Sequence, residues 1–173
     1  VSGKEKPEVV AGGRKPSLCA GCPHRFVFGS LRRMGFTVAG DIGCYTLSAI
    51  APFESIDTCL CMGGGITVFE GLWHALKKNV IGVIGDSTFM HSGVTGLISA
   101  VYNGARGVIL ILDNSTTAMT GGQQHPATGK DIRGAKAAKV KIEDIVRACG
   151  ADEVDVIDPV NVKEFEALLK KRA

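Results

Sequence analysis

The sequence predicts an α/β fold with a mostly parallel, doubly wound sheet and helices on both of its faces. Two apolar runs of strand length, residues 80–84 and 108–112, are each followed by a polar cluster, as in buried parallel strands. Between them, residues 94–101 place apolar side chains at helical spacing. Strands that alternate with helices indicate a parallel sheet, because each parallel pair requires a crossover connection.

The remaining elements follow from the same two patterns together with turn and cap signals. In chain order they are a helix at His24–Met34, strands at Thr37–Asp41 and Asp57–Cys61, helices through residues 69–76 and 142–149, a strand at Val154–Ile157 and a final helix ending at Lys171. Asn161 and Glu164 have the spacing of a capping box, which predicts where that last helix begins.

Length and composition predict one domain preceded by a linker. The chain has 173 residues, of which 45% are apolar and 23 are glycine, and this suits a single α/β domain with many tight turns. Residues 1–16 hold four Lys or Arg and little apolar pattern, so we expect a linker there and the domain in residues 17–173. Because the chain begins with Val1 rather than Met, we expect either a fragment of a longer polypeptide or a processed chain.

Charge and hydropathy exclude two classes of partner. A net charge of +3 does not favour nucleic acid, and no Lys/Arg cluster interleaves with aromatic residues. No apolar stretch reaches the roughly 18–20 residues of a membrane span, and no signal peptide is visible. We therefore predict no membrane contact and a cytoplasmic location.

A magnesium site is predicted where the two longest apolar runs end. Gly85, Asp86 and Ser87 follow the first run, and Asn114 follows the second. The carboxyl ends of neighbouring parallel strands form the ligand-binding edge of an open sheet, so we expect these clusters to meet. Carboxylate and amide oxygens suit Mg²⁺, which shares its remaining positions with phosphates. Taken alone, Gly-Asp-Ser is also consistent with a turn in which Asp86 caps the next helix.

The cysteines indicate redox or metal chemistry rather than structural disulfides. Cys19 and Cys22 form a C-x-x-C motif, which in a cytosolic chain is typical of such chemistry. A zinc site would need two more ligands, and Cys59 and Cys61 lie in a strand-like run where successive side chains diverge. We expect Cys59, Cys61 and Cys149 to be buried as small apolar side chains.

Five motifs occur in an order that resembles a known family. They are Cys19–His24, Gly40–Cys44, Gly63–Gly65, the Asp86/Asn114 pair and Met119–Pro126. The series resembles the thiamine diphosphate-binding domain of 2-oxoacid:ferredoxin oxidoreductases over roughly residues 16–159. Within that superfamily, Cys-Ala-Gly-Cys-Pro-His-Arg and Thr-Thr-Ala-Met-Thr-Gly are most similar to the large (alpha) subunit of indolepyruvate:ferredoxin oxidoreductase.

The resemblance implies a set of site residues. Mg²⁺ would be held by the side chains of Asp86 and Asn114 and by the backbone carbonyl of Thr116. The residues that would contact the cofactor are Gly43, Cys44, Met62, Gly63, Gly85, Ser87, Thr88, Met119 and Thr120. A catalytic side chain is not certain in this chain, although His24 could approach the cofactor.

The same resemblance raises a possible iron–sulfur site. Cys19, Cys22 and Cys44 align with three ligands of a [4Fe–4S] cluster in the related pyruvate and oxoglutarate enzymes. A cubane normally requires four thiolates, so the alternative is a relict triad packed near the cofactor.

The resemblance also implies an activity that this chain would share with other parts. The reaction is oxidative decarboxylation of an aryl 2-oxoacid such as indolepyruvate to an acyl-coenzyme A, with electrons passing through [4Fe–4S] clusters to ferredoxin. The activating glutamate of the pyrimidine-binding domain and the ferredoxin-like tail are not found in this sequence. We therefore expect both as partners, with a smaller second subunit, ferredoxin, coenzyme A and an oligomeric assembly, and we expect the chain alone to be inactive.

Three other functions remain open from the sequence. One is another thiamine diphosphate-dependent 2-oxoacid oxidoreductase, acting on pyruvate, oxoglutarate or a branched-chain acid. The second is a subunit of a non-oxidative 2-oxoacid decarboxylase. The third is a non-catalytic α/β module that binds a nucleotide or a metal.

Overall fold

A parallel sheet forms the centre of the domain. The computed structural model describes Gly13 and residues 15–173, and within them four strands lie in the order β2-β1-β3-β4, all parallel. The strands are β1 (Thr37–Gly40), β2 (Thr58–Cys59), β3 (Val80–Gly85) and β4 (Val108–Leu112). The predicted linker, residues 1–16, lies almost wholly outside the described residues and stays a prediction.

Helices cover both faces of the sheet, as predicted. They are α1 (His24–Met34), α2 (Gly64–Leu76), α3 (Asp86–Thr88), α4 (Val94–Tyr102), α5 (Ile142–Ala148) and α6 (Val162–Arg172), with a π-helical segment, Phe89–Gly93, joining α3 to α4. Phe28 of α1 and Phe165 of α6 share one core cluster with Val83 of β3. Residues of α2, α4 and α5 pack in clusters on the opposite face of the sheet.

The strand order creates a crevice between β1 and β3. The chain runs from β1 outward to β2, then crosses back to β3 on the other side of β1 and continues outward to β4. Open α/β sheets bind ligands at such a reversal, beyond the carboxyl ends of the strands. The segments that follow β1 and β3, beginning at Asp41 and Asp86, therefore flank the expected binding crevice.

Two helix predictions agree closely with the structure. Helix α1 has the predicted bounds, and it ends because Gly35 adopts a left-handed conformation at φ 71°. Helix α6 begins directly after Asn161 and extends one residue past the predicted Lys171. The capping box itself does not form, since Asn161 Nδ2 donates to Glu164 Oε2 at 2.6 Å and neither side chain bonds the backbone.

Two strand predictions are wrong in extent or in kind. Residues Val154–Ile157 have no strand pairing within the described part of the chain, although Ile157 packs against the core beside α1 and α6. Of the predicted strand Asp57–Cys61, only Thr58–Cys59 pairs with β1. The apolar pattern of these segments does not report whether a partner strand is available, and two of their apolar side chains, Leu60 and Val156, are exposed.

The described helices can be compared with the length and hydropathy of a membrane span. None of them combines the length and the hydropathy that crossing a bilayer requires.

Candidate functional site

Asp41, at the end of β1, is hydrogen-bonded to the backbone at the start of α2. Its carboxylate is fully buried and accepts three backbone N–H groups, from Ile42 at 2.7 Å, Gly63 at 2.9 Å and Gly65 at 2.8 Å. A Cβ on Gly65 would lie 3.1 Å from the Asp41 side chain, so this close approach favours glycine. The predicted site residue Gly63 is thereby held at the wall of the crevice.

Gly63 and Met62 form the rim of the crevice on this side. Gly63 has φ +83°, and a Cβ there would overlap the side chain of Ser92 in the π-helical segment. The position therefore requires glycine both for its backbone conformation and for space. Met62, the residue before it, is 49% exposed.

Gly43 and Cys44 continue the wall beyond β1. The Gly43 N–H donates to Thr46 Oγ1 at 2.9 Å, and the Thr46 hydroxyl donates in turn to the Asp41 carbonyl at 2.8 Å. Cys44 is half-buried. Burial raises the pKa of the Cys44 thiol, and neighbouring Cys22 and Cys19 raise it further, so the structure brings the three predicted cluster cysteines near one another.

The cysteines do not form a metal-binding group that the geometry identifies. Cys19 is exposed and Cys22 is half-buried, and neither forms a disulfide. Across Gly13 and residues 15–173, no three His, Cys, Asp or Glu side chains are arranged to hold a metal ion, so the iron–sulfur site stays a prediction. The expected burial of Cys61 is wrong, because the residue lies exposed in the turn before α2; Cys59 and Cys149 are half-buried.

Asp86 is a buried carboxylate at the carboxyl end of β3. The residue is 3% exposed, and its Oδ1 accepts the Ser87 N–H at 2.7 Å. Its Oδ2 is buried and has no hydrogen-bond partner among the described residues, although an imidazole nitrogen, that of His125, lies 3.2 Å away. Burial raises the pKa of Asp86, and nearby Asp113 acts in the same direction. A buried carboxylate with one unbonded oxygen is costly unless a cation or a donor compensates it.

The sheet register brings the second half of the predicted magnesium motif to the same edge. Gly85 pairs with Leu112, so Asp86 and Asp113 leave neighbouring strands at the same level and Asn114 follows. Asn114 is exposed, and its Oδ1 accepts the Thr116 N–H at 3.2 Å in a side-chain turn.

The loop after Asn114 carries the other predicted contacts with the cofactor. Ser87 Oγ lies 2.7 Å from Thr117 Oγ1, which links the helix start after β3 to this loop. Met119 and Thr120 form a single exposed turn, and Thr120 Oγ1 donates to Gln123 Oε1 at 2.5 Å. Thr88, the remaining predicted contact, is buried behind Ser87.

His125 is a residue of the site that the sequence did not reveal. The residue is 7% exposed, and its Nε2 lies 3.2 Å from Asp86 Oδ2 without the alignment of a hydrogen bond. The pair places an imidazole against the carboxylate at the end of β3. His125 belongs to the Met119–Pro126 motif, but no local signal indicates that this motif folds back onto Asp86.

His24, the possible catalytic residue, lies inside the wall of the crevice. It is buried at the start of α1, with Nδ1 unbonded, and its ring meets that of Tyr45 edge-on at 6.2 Å. Burial lowers the pKa of His24, which favours the neutral imidazole. Its approach to a cofactor stays a prediction.

The donor set at the sheet edge fits Mg²⁺ and a diphosphate. The carboxylate of Asp86, the amide of Asn114 and the carbonyl of Thr116 are hard oxygen ligands. The unbonded Oδ2 of Asp86 is the observation that favours a cation there. The helix that starts at Asp86 would direct backbone N–H groups toward an anion.

Comparison with known proteins agrees with this description. Residues 41–173 match the family described as thiamine pyrophosphate enzyme, C-terminal TPP binding domain. The chain is 46% identical over 176 residues to "Indolepyruvate oxidoreductase subunit IorA" of Archaeoglobus fulgidus, covering 99% of this chain and 28% of that protein. It is 41% identical to the protein of the same name in Methanothermobacter marburgensis, over 98% of this chain and 28% of the relative.

One solved structure has a similar fold. It is a 2-oxoglutarate:ferredoxin oxidoreductase from Magnetococcus marinus, with 2-oxoglutarate, coenzyme A and succinyl-CoA bound. The match has a TM-score of 0.77 at 18% identity and covers 93% of this chain and 60% of that one. Since the family match covers most of the domain, the chain belongs to the thiamine pyrophosphate enzymes, as a C-terminal TPP-binding domain.

Proposed function

We propose that this chain holds Mg²⁺ and the diphosphate of thiamine diphosphate within an enzyme that oxidatively decarboxylates aryl 2-oxoacids to acyl-coenzyme A and reduces ferredoxin. The observation that carries the cofactor site is the buried Asp86 carboxylate with one unbonded oxygen, at the level where β4 delivers Asn114. The names of the curated relatives support indolepyruvate as the substrate.

Each residue predicted to hold the metal ion or the cofactor has a role in this proposal. Asp86, Asn114 and the Thr116 carbonyl hold the metal ion, while the amides of Ser87 and Thr88, with Gly85, Met119 and Thr120, hold the diphosphate. Gly43, Cys44, Met62 and Gly63 form the wall against the rest of the cofactor. When bound, the cofactor supplies the electron sink for decarboxylation, and the protein contributes positioning and exclusion of water.

The proposal assigns part of the active site to other regions. The chain spans 28% of the length of the curated relatives that it matches. Glu54 lies 3.1 Å from Arg32 in an ion pair, and Glu70 accepts a hydrogen bond from Asn103 at 2.7 Å. Both glutamates have partners within this chain, and we assign neither of them the activation of the cofactor. We assign that role to a pyrimidine-binding domain.

The same proposal names the remaining partners. A ferredoxin-like domain with [4Fe–4S] clusters and a smaller second subunit complete the electron path, and the assembly is oligomeric and cytoplasmic. Coenzyme A and ferredoxin are its small-molecule and protein partners. Coenzyme A is bound in the structurally similar 2-oxoglutarate enzyme, which supports its inclusion.

Cofactor binding to the full-length protein tests the proposal. Thiamine diphosphate with Mg²⁺, at about 100 times its dissociation constant, should raise the free energy of unfolding by roughly 2.7 kcal/mol, because it binds only the folded state. Differential scanning calorimetry with the cofactor, and then with EDTA, measures this change. An unchanged melting temperature at millimolar cofactor and Mg²⁺ would contradict the proposal.

Activity of the isolated chain tests its dependence on partners. Given indolepyruvate, coenzyme A, cofactor, Mg²⁺ and an electron acceptor, the chain alone should give no turnover above buffer, whereas the complete complex should turn over. Comparable activity from the two preparations would show that the site is not shared.

A further inference from the structure

Tyr45 spans the crevice between β1 and β3. The residue is 3% exposed, and its hydroxyl donates to the Ile42 carbonyl at 3.1 Å on the β1 side. The same oxygen accepts the Gly85 N–H at 2.9 Å on the β3 side. One side chain therefore connects the two segments that flank the crevice, over a separation of 40 residues in sequence.

Strand pairing between β1 and β3 ends before Gly85, and the Tyr45 hydroxyl bonds the backbone at that point instead. The last residue pair between β1 and β3 joins Ala39 to Gly82. Beyond it, the N–H of Gly85 is bonded by the Tyr45 hydroxyl rather than by a residue of β1. This N–H belongs to the residue immediately before Asp86, so the bond fixes the backbone from which the metal-site carboxylate projects.

The ring of Tyr45 is clamped by its neighbours. A Cβ on Gly85 would lie 3.0 Å from a ring carbon, and a Cβ on Gly43 would overlap the ring. Phe28 stacks on the ring with centroids 6.5 Å apart, and His24 meets it edge-on. The ring therefore has little freedom to rotate, and the direction of its hydroxyl is set by packing.

The hydroxyl stays protonated at physiological pH. Burial raises the pKa of Tyr45, and the nearby Asp41 carboxylate acts in the same direction. The neutral group can donate to the Ile42 carbonyl while it accepts from the Gly85 N–H, which a phenolate could not do.

We propose that Tyr45 is a positioning residue that sets the distance between the loops after β1 and β3 and thereby orients Gly85, Asp86 and Ser87 for the cofactor diphosphate and its metal ion. This inference rests on the proposed function. It adds a residue that contacts neither the metal ion nor the diphosphate in that proposal and acts through the Gly85 N–H.

The test is Tyr45→Phe in the full-length protein with its partner subunit. This change keeps the ring and removes only the hydroxyl. Isothermal titration of the cofactor-free protein with thiamine diphosphate, at saturating Mg²⁺, should show a dissociation constant raised about tenfold, because the Gly85 N–H beside the site loses its acceptor. The matched control is Phe28→Leu, which removes the stacked ring and keeps the Tyr45 hydroxyl, so it measures what packing alone contributes.

Hydrogen exchange provides a readout that needs no cofactor. In Tyr45→Phe, amide exchange measured by mass spectrometry should accelerate in peptides covering residues 85–88, whereas Phe28→Leu should leave these peptides close to wild type. Melting temperatures of both variants show how much of any effect is general destabilisation. If Tyr45→Phe is recovered only in unfolded form, exchange of the Gly85 amide is measured by NMR in the wild-type protein, where the Tyr45 hydroxyl should protect it. Exchange as fast as that of an unbonded amide would then overturn the role of Tyr45.

The outcomes separate this inference from the proposed function. If the wild-type protein binds no thiamine diphosphate, both fail. If the wild type binds and Tyr45→Phe binds within about twofold of it, with unchanged exchange, only the role of Tyr45 is wrong. Equal weakening by Phe28→Leu at the same melting temperature would also overturn it, because packing alone would then explain the effect.

Discussion

The site has two outer walls, one formed by the segment after β1 and the other by the loop after β4, and they are held in shape by different kinds of contact. On the β1 side, Asp41 and Tyr45 are buried and bond to residues far away in sequence, such as Gly63 and Gly85. On the β4 side, the loop from Asp113 to Gln123 is largely exposed, and its side chains bond mainly to residues two or three positions away.

This difference separates a fixed wall from an adaptable one. Long-range hydrogen bonds on the β1 side form together with the sheet. The conformation of the β1 wall is therefore fixed once the domain has folded. The loop after β4 is largely exposed, and the hydrogen bonds of its local turns can exchange for bonds to a ligand at little cost. Asp86 and His125 lie between these walls, buried and without complete hydrogen bonding, and so they should respond most to bound metal.

The largest expected effect is a loss of stability in Asp41→Ala, on the β1 wall. This change leaves three buried N–H groups without their acceptor, and we expect it to lower the free energy of unfolding by about 3 kcal/mol or more. Thermal unfolding of the full-length protein measures the loss. The matched control is Asp57→Ala, since Asp57 accepts a single backbone N–H, that of Val38 at 2.7 Å.

An equal loss from Asp41→Ala and Asp57→Ala would contradict the description of this wall. It would mean that three bonds to one carboxylate stabilise the domain no more than one bond does. Full stability in both variants would show that the wall does not depend on these carboxylates.

The next largest effect should fall on cofactor binding, from Asp86→Ala and Asn114→Ala. Removal of a metal ligand should weaken binding of Mg²⁺ and thiamine diphosphate by more than about 100-fold, beyond the 10–100-fold typical of outer groups. Stability should fall only modestly, because these side chains bury little apolar area. Thiamine content of the purified full-length variants measures occupancy, with the exposed Asp144→Ala on α5 as the control.

Normal thiamine content in either variant would show that its side chain is not a metal ligand. A collapse of both occupancy and folding would instead identify a structural role. The melting temperature of the cofactor-free protein distinguishes the two cases.

A smaller effect is expected from His125→Ala, which acts between the two walls. Loss of the imidazole removes the ring nitrogen that lies 3.2 Å from Asp86 Oδ2 and leaves a cavity beside a buried carboxylate, so we expect a loss of about 1–3 kcal/mol in the free energy of unfolding. Calorimetry of the cofactor-free, full-length protein measures it. His74→Ala is the control, because His74 lies exposed beside Trp73 and Lys77. Equal losses of stability from the two changes would show that His125 stabilises the domain no more than an exposed histidine does.

The smallest effects should come from Glu54→Gln and Glu70→Gln. Glu54 forms an exposed ion pair with Arg32, and such pairs contribute at most about 1 kcal/mol. Activity of the complete enzyme should remain close to wild type in both variants, because the activating glutamate is assigned to another domain. Loss of activity in either variant, with normal thiamine content, would place that glutamate in this chain.

The sequence predicted the elements of this fold better than it predicted the contacts between them. Apolar spacing and a terminal glycine were sufficient for α1, and polar clusters after β3 and β4 located the sheet edge where Asp86 and Asn114 emerge. Val154–Ile157 was misassigned because strand pairing depends on a partner that the segment itself does not specify.

The roles of Tyr45 and His125 could not be predicted for a related reason. Each acts through a contact with a residue distant in sequence, Gly85 and Asp86 respectively, and no local spacing records such a contact. The assigned metal and cofactor ligands stay predictions until binding is measured.

The three bonds to Asp41 have a consequence for where an anion can dock. Two helices point their positive ends into the crevice, α2 at Gly64 and α3 at Asp86. The carboxylate of Asp41 already neutralises the end of α2, since it takes the N–H groups of Gly63 and Gly65. At the start of α3, by contrast, the Asp86 carboxylate takes only the Ser87 N–H, and its second oxygen has no bond among the described residues. A diphosphate would therefore reach the β3 side together with a cation rather than through a bare helix end.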